Sequence, residues 1–208
     1  MPTRLVFVRH GESVHSVEGV VGGPEGCRGL TAVGHQQARR LAGRLAEDLA
    51  GDGPVSVYSS VVRRAVETAR PIAAGLGVDL VQDCGLCTWH TPSYADGMPT
   101  AQFQADHAIA GGGVFRPFEQ GNESWAELVV RVGRAIVDIA HRHRGSTTVI
   151  VGHAETVTTS FHALAAQPLF LGFDVKVAPA STTEWITGED PTGWPPARWT
   201  LCRFSDTH

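Results

Sequence analysis

The sequence has 208 residues, 42% of them hydrophobic and 18% charged, and a formal net charge of −4. That balance reads as a soluble globular chain long enough to bury a substantial core, and it excludes bulk attraction to nucleic acid or an anionic membrane. No stretch approaches the roughly 20 apolar residues of a membrane span, the first apolar run is too short for a secretory signal, and four cysteines are too few for a disulfide scaffold, so the expectation is a cytoplasmic protein with reduced thiols.

Leu5 to Val8 is a continuous apolar run suited to a strand covered on both faces. Residues 14–30 are rich in glycine and read as a long loop. Ala38, Leu41, Ala42, Leu45 and Leu49 then recur at helical spacing behind Thr31, a suitable N-cap. "PVSVYSS" predicts a second buried strand. "VVRRAVETARPIAAGLG" predicts a helix with Val62, Ala65, Val66 and Ala69 inward, Pro71 a kink point, and Gly75 or Gly77 its end. "VDLVQ" is a short third strand. Residues 82–122 lack periodicity and read as an insertion over one end of the sheet. "ESWAELVVRVGRAIVDIAHRHR" is a strongly amphipathic helix with a basic end that suits its dipole. "TTVIVGH" is another buried strand, a helix follows from about 155 to 166, and two strands around a Pro/Gly-rich turn close the chain. Strands alternating with helices predict a single α/β domain over 1–208: a three-layer α/β/α sandwich with a mostly parallel sheet and its ligand at the carboxyl ends of the strands.

Two predicted strands end in histidine, at His10 and His153, and a third runs into a helix carrying Arg63 and Arg64. In a parallel sheet these ends share one rim, which brings Arg9, His10, Arg64 and His153 together. Arginine forks suit a tetrahedral dianion, and a neutral imidazole is a nucleophile that needs no deprotonation at neutral pH.

Four ordered blocks carry a resemblance. "LVFVRHGES", "GCRGLTAVGHQQA", "YSSVVRRAVETA" and "VIVGHAETV", with "GNESWAELVVRV" between the last two, resemble the histidine phosphatase superfamily, the phosphoglycerate mutase-like fold. The resemblance implies that His10 attacks phosphorus and becomes phosphohistidine, and that Arg9, Arg64 and His153 bind the phosphoryl oxygens. It selects Arg64 over Arg63, and it places Ser16 where the family usually has a phosphate-contacting asparagine. It implies no cofactor and no divalent metal, since arginines and histidines supply the positive charge. It also implies a small phosphorylated metabolite as partner and a fold in which homodimers are common.

The chain departs from the pattern at one place. Where the family usually carries a glutamic acid at the start of the insertion, to protonate the departing oxygen, this chain has Thr88, and a threonine hydroxyl is too weak an acid for that work. His90 ranks first as a substitute and Asp96 second. Glu155 ranks behind them because a helix N-terminus favours its ionised form. A leaving group that departs unprotonated, such as a carboxylate or a phosphate, needs no substitute. Three readings stay open: a phosphatase of a small phosphorylated metabolite, a phosphotransferase or mutase, and a relative with altered chemistry or a non-catalytic anion-binding role.

Cys84, Cys87 and His90 have metal-like spacing. A closed tetrahedral zinc site needs a fourth ligand, and no second Cys-x-x-Cys is present, so the pair reads as two packed thiols and no metal is assigned.

Overall fold

A computed structural model describes residues 1–208. Seven residues from Thr3 to Arg9 form β1, and the sheet is completed by β2 (Val55–Ser59), β3 (Leu80–Gln82), β4 (Thr147–Gly152), β5 (Thr182–Thr187) and β6 (Thr200–Asp206). Their order is β3-β2-β4-β1-β5-β6. β1 to β4 are mutually parallel, while β5 and β6 add an antiparallel edge. The helices are α1 (Val14–Glu18), α2 (Ala32–Asp48), α3 (Arg63–Leu76), α4 (Thr100–His107), α5 (Trp125–Arg142) and α6 (Ala154–Ala165).

Strand alternation divides the core into two layers. Leu5 and Phe7 of β1, Tyr58 of β2 and Ile150 of β4 face one way and pack on Leu128, Val132 and Ile136 of α5 and Val157 of α6. Val6, Val8, Val57, Val149 and Val151 face the other way and pack on Leu41 and Leu45 of α2 and Ala69 and Ile72 of α3. Burial on both faces is why these strands read as unbroken apolar runs. The sheet, its parallel majority and the helical layers match the expected sandwich.

The helix ends follow their local chemistry. Thr31 accepts from the backbone N–H of Gly34, and Ser124 and Glu127 form a reciprocal capping box at the start of α5. α3 runs through Pro71 and stops at Gly77, whose φ of 67° lies in the left-handed region. Two segments expected to be irregular contain helix. α1 lies inside the glycine-rich 14–30 stretch and buries no residue, and α4 lies inside 82–122 and buries only Phe103. Neither has an apolar stripe, so neither leaves a periodic trace in the sequence.

Candidate active site

Register places the site. β1 and β4 are adjacent and parallel, with Arg9 opposite Gly152, so His10 and His153 follow at the same rim. β2 flanks β4 on its other side, with Ser59 opposite Val151, and Ser60 and α3 continue from it. The two imidazole rings meet edge to face with centroids 5.3 Å apart. Arg64 reaches them from the first turn of α3, where its Nε donates to His10 Nε2 at 3.2 Å. His10, His153 and Arg64 are all buried, and Arg9 is half-buried.

The bonds around each ring define its protonation pattern. His10 Nδ1 donates to the carbonyl of Gly11 at 2.7 Å, which leaves the Nε2 lone pair facing the Arg64 guanidinium. Ser60 Oγ accepts from Val62 N–H and stands 2.8 Å from His153 Nε2, which holds that ring in place. His153 Nδ1 is buried without a hydrogen-bond partner, on a ring that lines the cavity. Arg9 Nε is likewise buried without a partner, while its guanidinium also donates to the Val177 carbonyl. Buried donors without partners are costly unless a ligand meets them. Burial, and then the nearby Arg64 charge, push both His10 and His153 well below the ordinary imidazole range. Burial also draws Arg9 down from the usual guanidinium value, against the opposing pull of Glu155.

The strand-to-loop turn at His10 is fixed from behind. A Cβ on Gly11 would stand 2.8 Å from the Gly34 carbonyl oxygen, and one on Gly34 would stand 2.0 Å from that of Glu12, so only glycine permits this approach. Thr68 Oγ1 accepts from Gly11 N–H at 3.1 Å and donates to the Arg64 carbonyl, which ties the turn to α3. Glu12 accepts from the Thr31 hydroxyl, and Gln37 Oε1 accepts from Glu12 N–H. The polar residues of the second and third sequence blocks therefore hold the loop that carries His10.

The rim opens into a cavity of about 820 Å³. Arg9, His10, Arg64, His153, Ser16, Thr88 and Glu155 all line it. Ser16 bonds to Ser13 and to His15 Nε2. Thr88 Oγ1 donates to Glu155 Oε2 at 3.1 Å.

The first two candidates for the missing acid are corrected. The exposed His90 ring does not line the cavity; its Nε2 lies 3.6 Å from Cys84 Sγ, and Glu123 holds the His90 backbone N–H at 2.9 Å. The Asp96 carboxylate accepts from the backbone N–H groups of Gly23, Glu25 and Gly26 at 2.8, 2.6 and 2.8 Å. It organises the glycine-rich loop and does not line the cavity. Proximity along the chain favoured both residues, and only the path of the turns at 84–86 and 93–95 sends them elsewhere. Glu155, ranked last, is the carboxyl that reaches the rim.

Other residues at the site carried little sequence signal. His15 lines the cavity with its ring 6.3 Å from that of His10, and burial followed by Arg64 lowers it to about 4. Ser60 and Thr68 lie within the "SSVVRRAVET" block, and Thr68 follows Arg64 by one helical turn, a spacing that could have marked it. Asn122 and Glu119 also face the cavity, and nothing local distinguished them.

Comparison with known proteins gives a consistent picture. Residues 5–200 match the histidine phosphatase superfamily (branch 1). A metal-independent phosphoserine phosphatase of Arabidopsis thaliana is 32% identical over 202 residues, covering 88% of this chain and 79% of that protein. A bifunctional protein of Mycobacterium tuberculosis is 29% identical over 161 residues, covering 75% of this chain, which spans only 42% of that longer protein. Among solved structures, a mycobacterial glucosyl-3-phosphoglycerate phosphatase in complex with VO3 superposes with a TM-score of 0.79 at 23% identity, covering 98% of this chain and 99% of the other.

Proposed function

The chain belongs to the histidine phosphatase superfamily, and from that premise we propose that it hydrolyses a monophosphate ester through a phosphohistidine on His10. The observation that carries this reading is the lone pair of His10 Nε2 facing Arg64 inside a buried group that also holds His153 and Arg9. An incoming phosphoryl group takes the Arg64 N–H from His10 and frees the lone pair. Arg9 and Arg64 then meet the phosphoryl oxygens with their charge, which counts most in a buried setting, and the His153 ring faces the same oxygens as a neutral neighbour.

In the first step Glu155 takes up a proton together with the entering dianionic substrate, whose like charge opposes the ionised carboxylate despite the helix N-terminus; Nε2 attacks phosphorus, the bond to the ester oxygen breaks, and Glu155 gives that oxygen the proton. Thr88 orients Glu155 through its hydroxyl. In the second step water attacks the phosphohistidine, returns a proton to Glu155, and inorganic phosphate leaves with His10 neutral again. The proton moves from a glutamate in this scheme, as in the family pattern, but from a helix N-terminus rather than from the insertion.

The lining supports hydrolysis over transfer between two phosphate positions. Arg9 and Arg64 are its only arginines, it has no lysine, and both arginines belong to the phosphoryl end. The rest of the lining includes Trp89, Phe103 and Ile109 with Glu119 and Asn122. That surface suits an uncharged, partly apolar alcohol and disfavours a second phosphate or a carboxylate. The Arabidopsis relative is named for phosphoserine, whose carboxylate has no cationic partner here.

The test is trapping of the intermediate. Wild type incubated with a labelled aryl phosphate and quenched under alkaline conditions should carry acid-labile label, and His10→Ala should carry none and lose about a thousandfold or more in turnover. Retained label on His10→Ala removes His10 from the role.

A further inference from the structure

We propose that Cys84, Cys87 and His90 form a binding site for a thiophilic divalent ion of the zinc class, which braces the cavity wall at Thr88. The three side chains present one ligand atom each, and these atoms lie within 4.8 Å of one another. Cys84 Sγ is 3.5 Å from Cys87 Sγ and 3.6 Å from His90 Nε2. A tetrahedral zinc with ordinary bond lengths needs sulfur atoms about 3.8 Å apart and sulfur to nitrogen about 3.6 Å. Those two separations fit within a few tenths of an ångström, the third, Cys87 to His90, lies within 4.8 Å and closes by up to about an ångström on binding, and two thiolates with an imidazole select zinc over magnesium or calcium. Cys84 and His90 are exposed, so water completes the fourth position.

The ligands stand on a loop held from outside. Cys87 N–H bonds to the Cys84 carbonyl, closing a single tight turn, and Asp83 accepts from Gly85 N–H at 2.7 Å. The Arg131 guanidinium donates to the carbonyls of Gly85, Cys87 and Thr88 at 3.2, 2.9 and 3.0 Å. Glu123 pairs with Arg131 and accepts from His90 N–H, so one ion pair on and beside α5 clamps both ends of the ligand loop. Outer-shell support of this kind is what sets ligand geometry at metal centres. Thr88 follows Cys87 directly and reaches Glu155 in the cavity, so an ion here stiffens the wall without touching the phosphoryl group.

The probes are Co2+ and Zn2+ added to the full chain, reduced and freed of metal. Co2+ should bind once per chain with sulfur-to-cobalt charge-transfer absorption and intense visible bands of tetrahedral symmetry, and Zn2+ should displace it. Cys84→Ser and His90→Ala, both at exposed positions, should keep the wild-type melting temperature of the metal-free protein while losing the charge-transfer absorption and the rise in Tm on adding Zn2+. Absence of these bands in the reduced wild type overturns the proposal, as does their survival in both variants. A Cys84–Cys87 disulfide detected by mass, in a chain that binds no Co2+ once reduced, overturns it in favour of a redox pair.

Discussion

The buried histidine–arginine cage and the cavity wall are built in different ways. In the cage, His10, Arg64 and His153 sit on or beside regular elements, are buried, and each bonds to a group from another element or from its own turn. In the wall, residues 82–122 form short turns and one eight-residue helix, tied by scattered backbone bonds and by side chains bonded to backbone: Asp96 to three N–H groups, Arg131 to carbonyls, Glu123 to His90 N–H. The lesson is a division of labour. The proposed grip on the phosphoryl group rests on sheet register and tolerates little change, whereas the proposed leaving-group side rests on loop bonds that can change without disturbing the sheet.

Glu155 stands where the two regions meet, and it carries the largest effect expected outside His10. Glu155→Gln should lower turnover of alkyl phosphate esters by about 10²–10⁴-fold, with a much smaller loss for an aryl ester whose phenolate leaves unaided. Equal losses on both, read from steady-state rates, would detach Glu155 from proton transfer.

The cage alone should make stability fall in acid. His10 and His153 are held neutral when folded and return to the ordinary range near 6.5 when unfolded, so below that pH the unfolded chain binds more protons. Stability is full above pH 6.5 and is lost as pH falls toward the depressed folded values, at a slope of up to about 2.7 kcal/mol per pH unit for two such groups. Denaturant unfolding between pH 7 and 5 measures this; His15, lowered to about 4, adds a third such group, so His153→Gln should flatten the measured slope by about a third.

Breaking the wall should spare the cage. Arg131→Met removes the guanidinium bonds to the loop carbonyls and should cost about 1.5–3 kcal/mol of stability while raising KM more than it lowers kcat. A fall in kcat with KM unchanged would place Arg131 in the cage's mechanism. The smallest effect expected is that of Ser60→Ala, which leaves His153 free to turn and should reduce kcat/KM about tenfold, the equivalent of one hydrogen bond. Ser60→Thr should restore most of it, since the hydroxyl returns.

The sheet and its helices were legible because a strand covered on both faces and a helix covered on one leave different apolar periods, as in Leu5–Val8 and in α5. The pocket residues Arg9, His10, Arg64 and His153 followed from where those elements end, and four ordered motifs with the resemblance they carry reinforced them. What local pattern did not contain is direction inside the aperiodic segment. His90 lies two residues from Thr88 and still does not line the cavity, while Glu155, far along the chain, does. Asp96 became a loop organiser because three backbone N–H groups converge on it. The positions of helices and strands are written in local side-chain spacing, whereas side-chain aim in irregular backbone depends on partners brought near by the rest of the fold, such as Glu123 and Arg131, and exists only once the chain has closed.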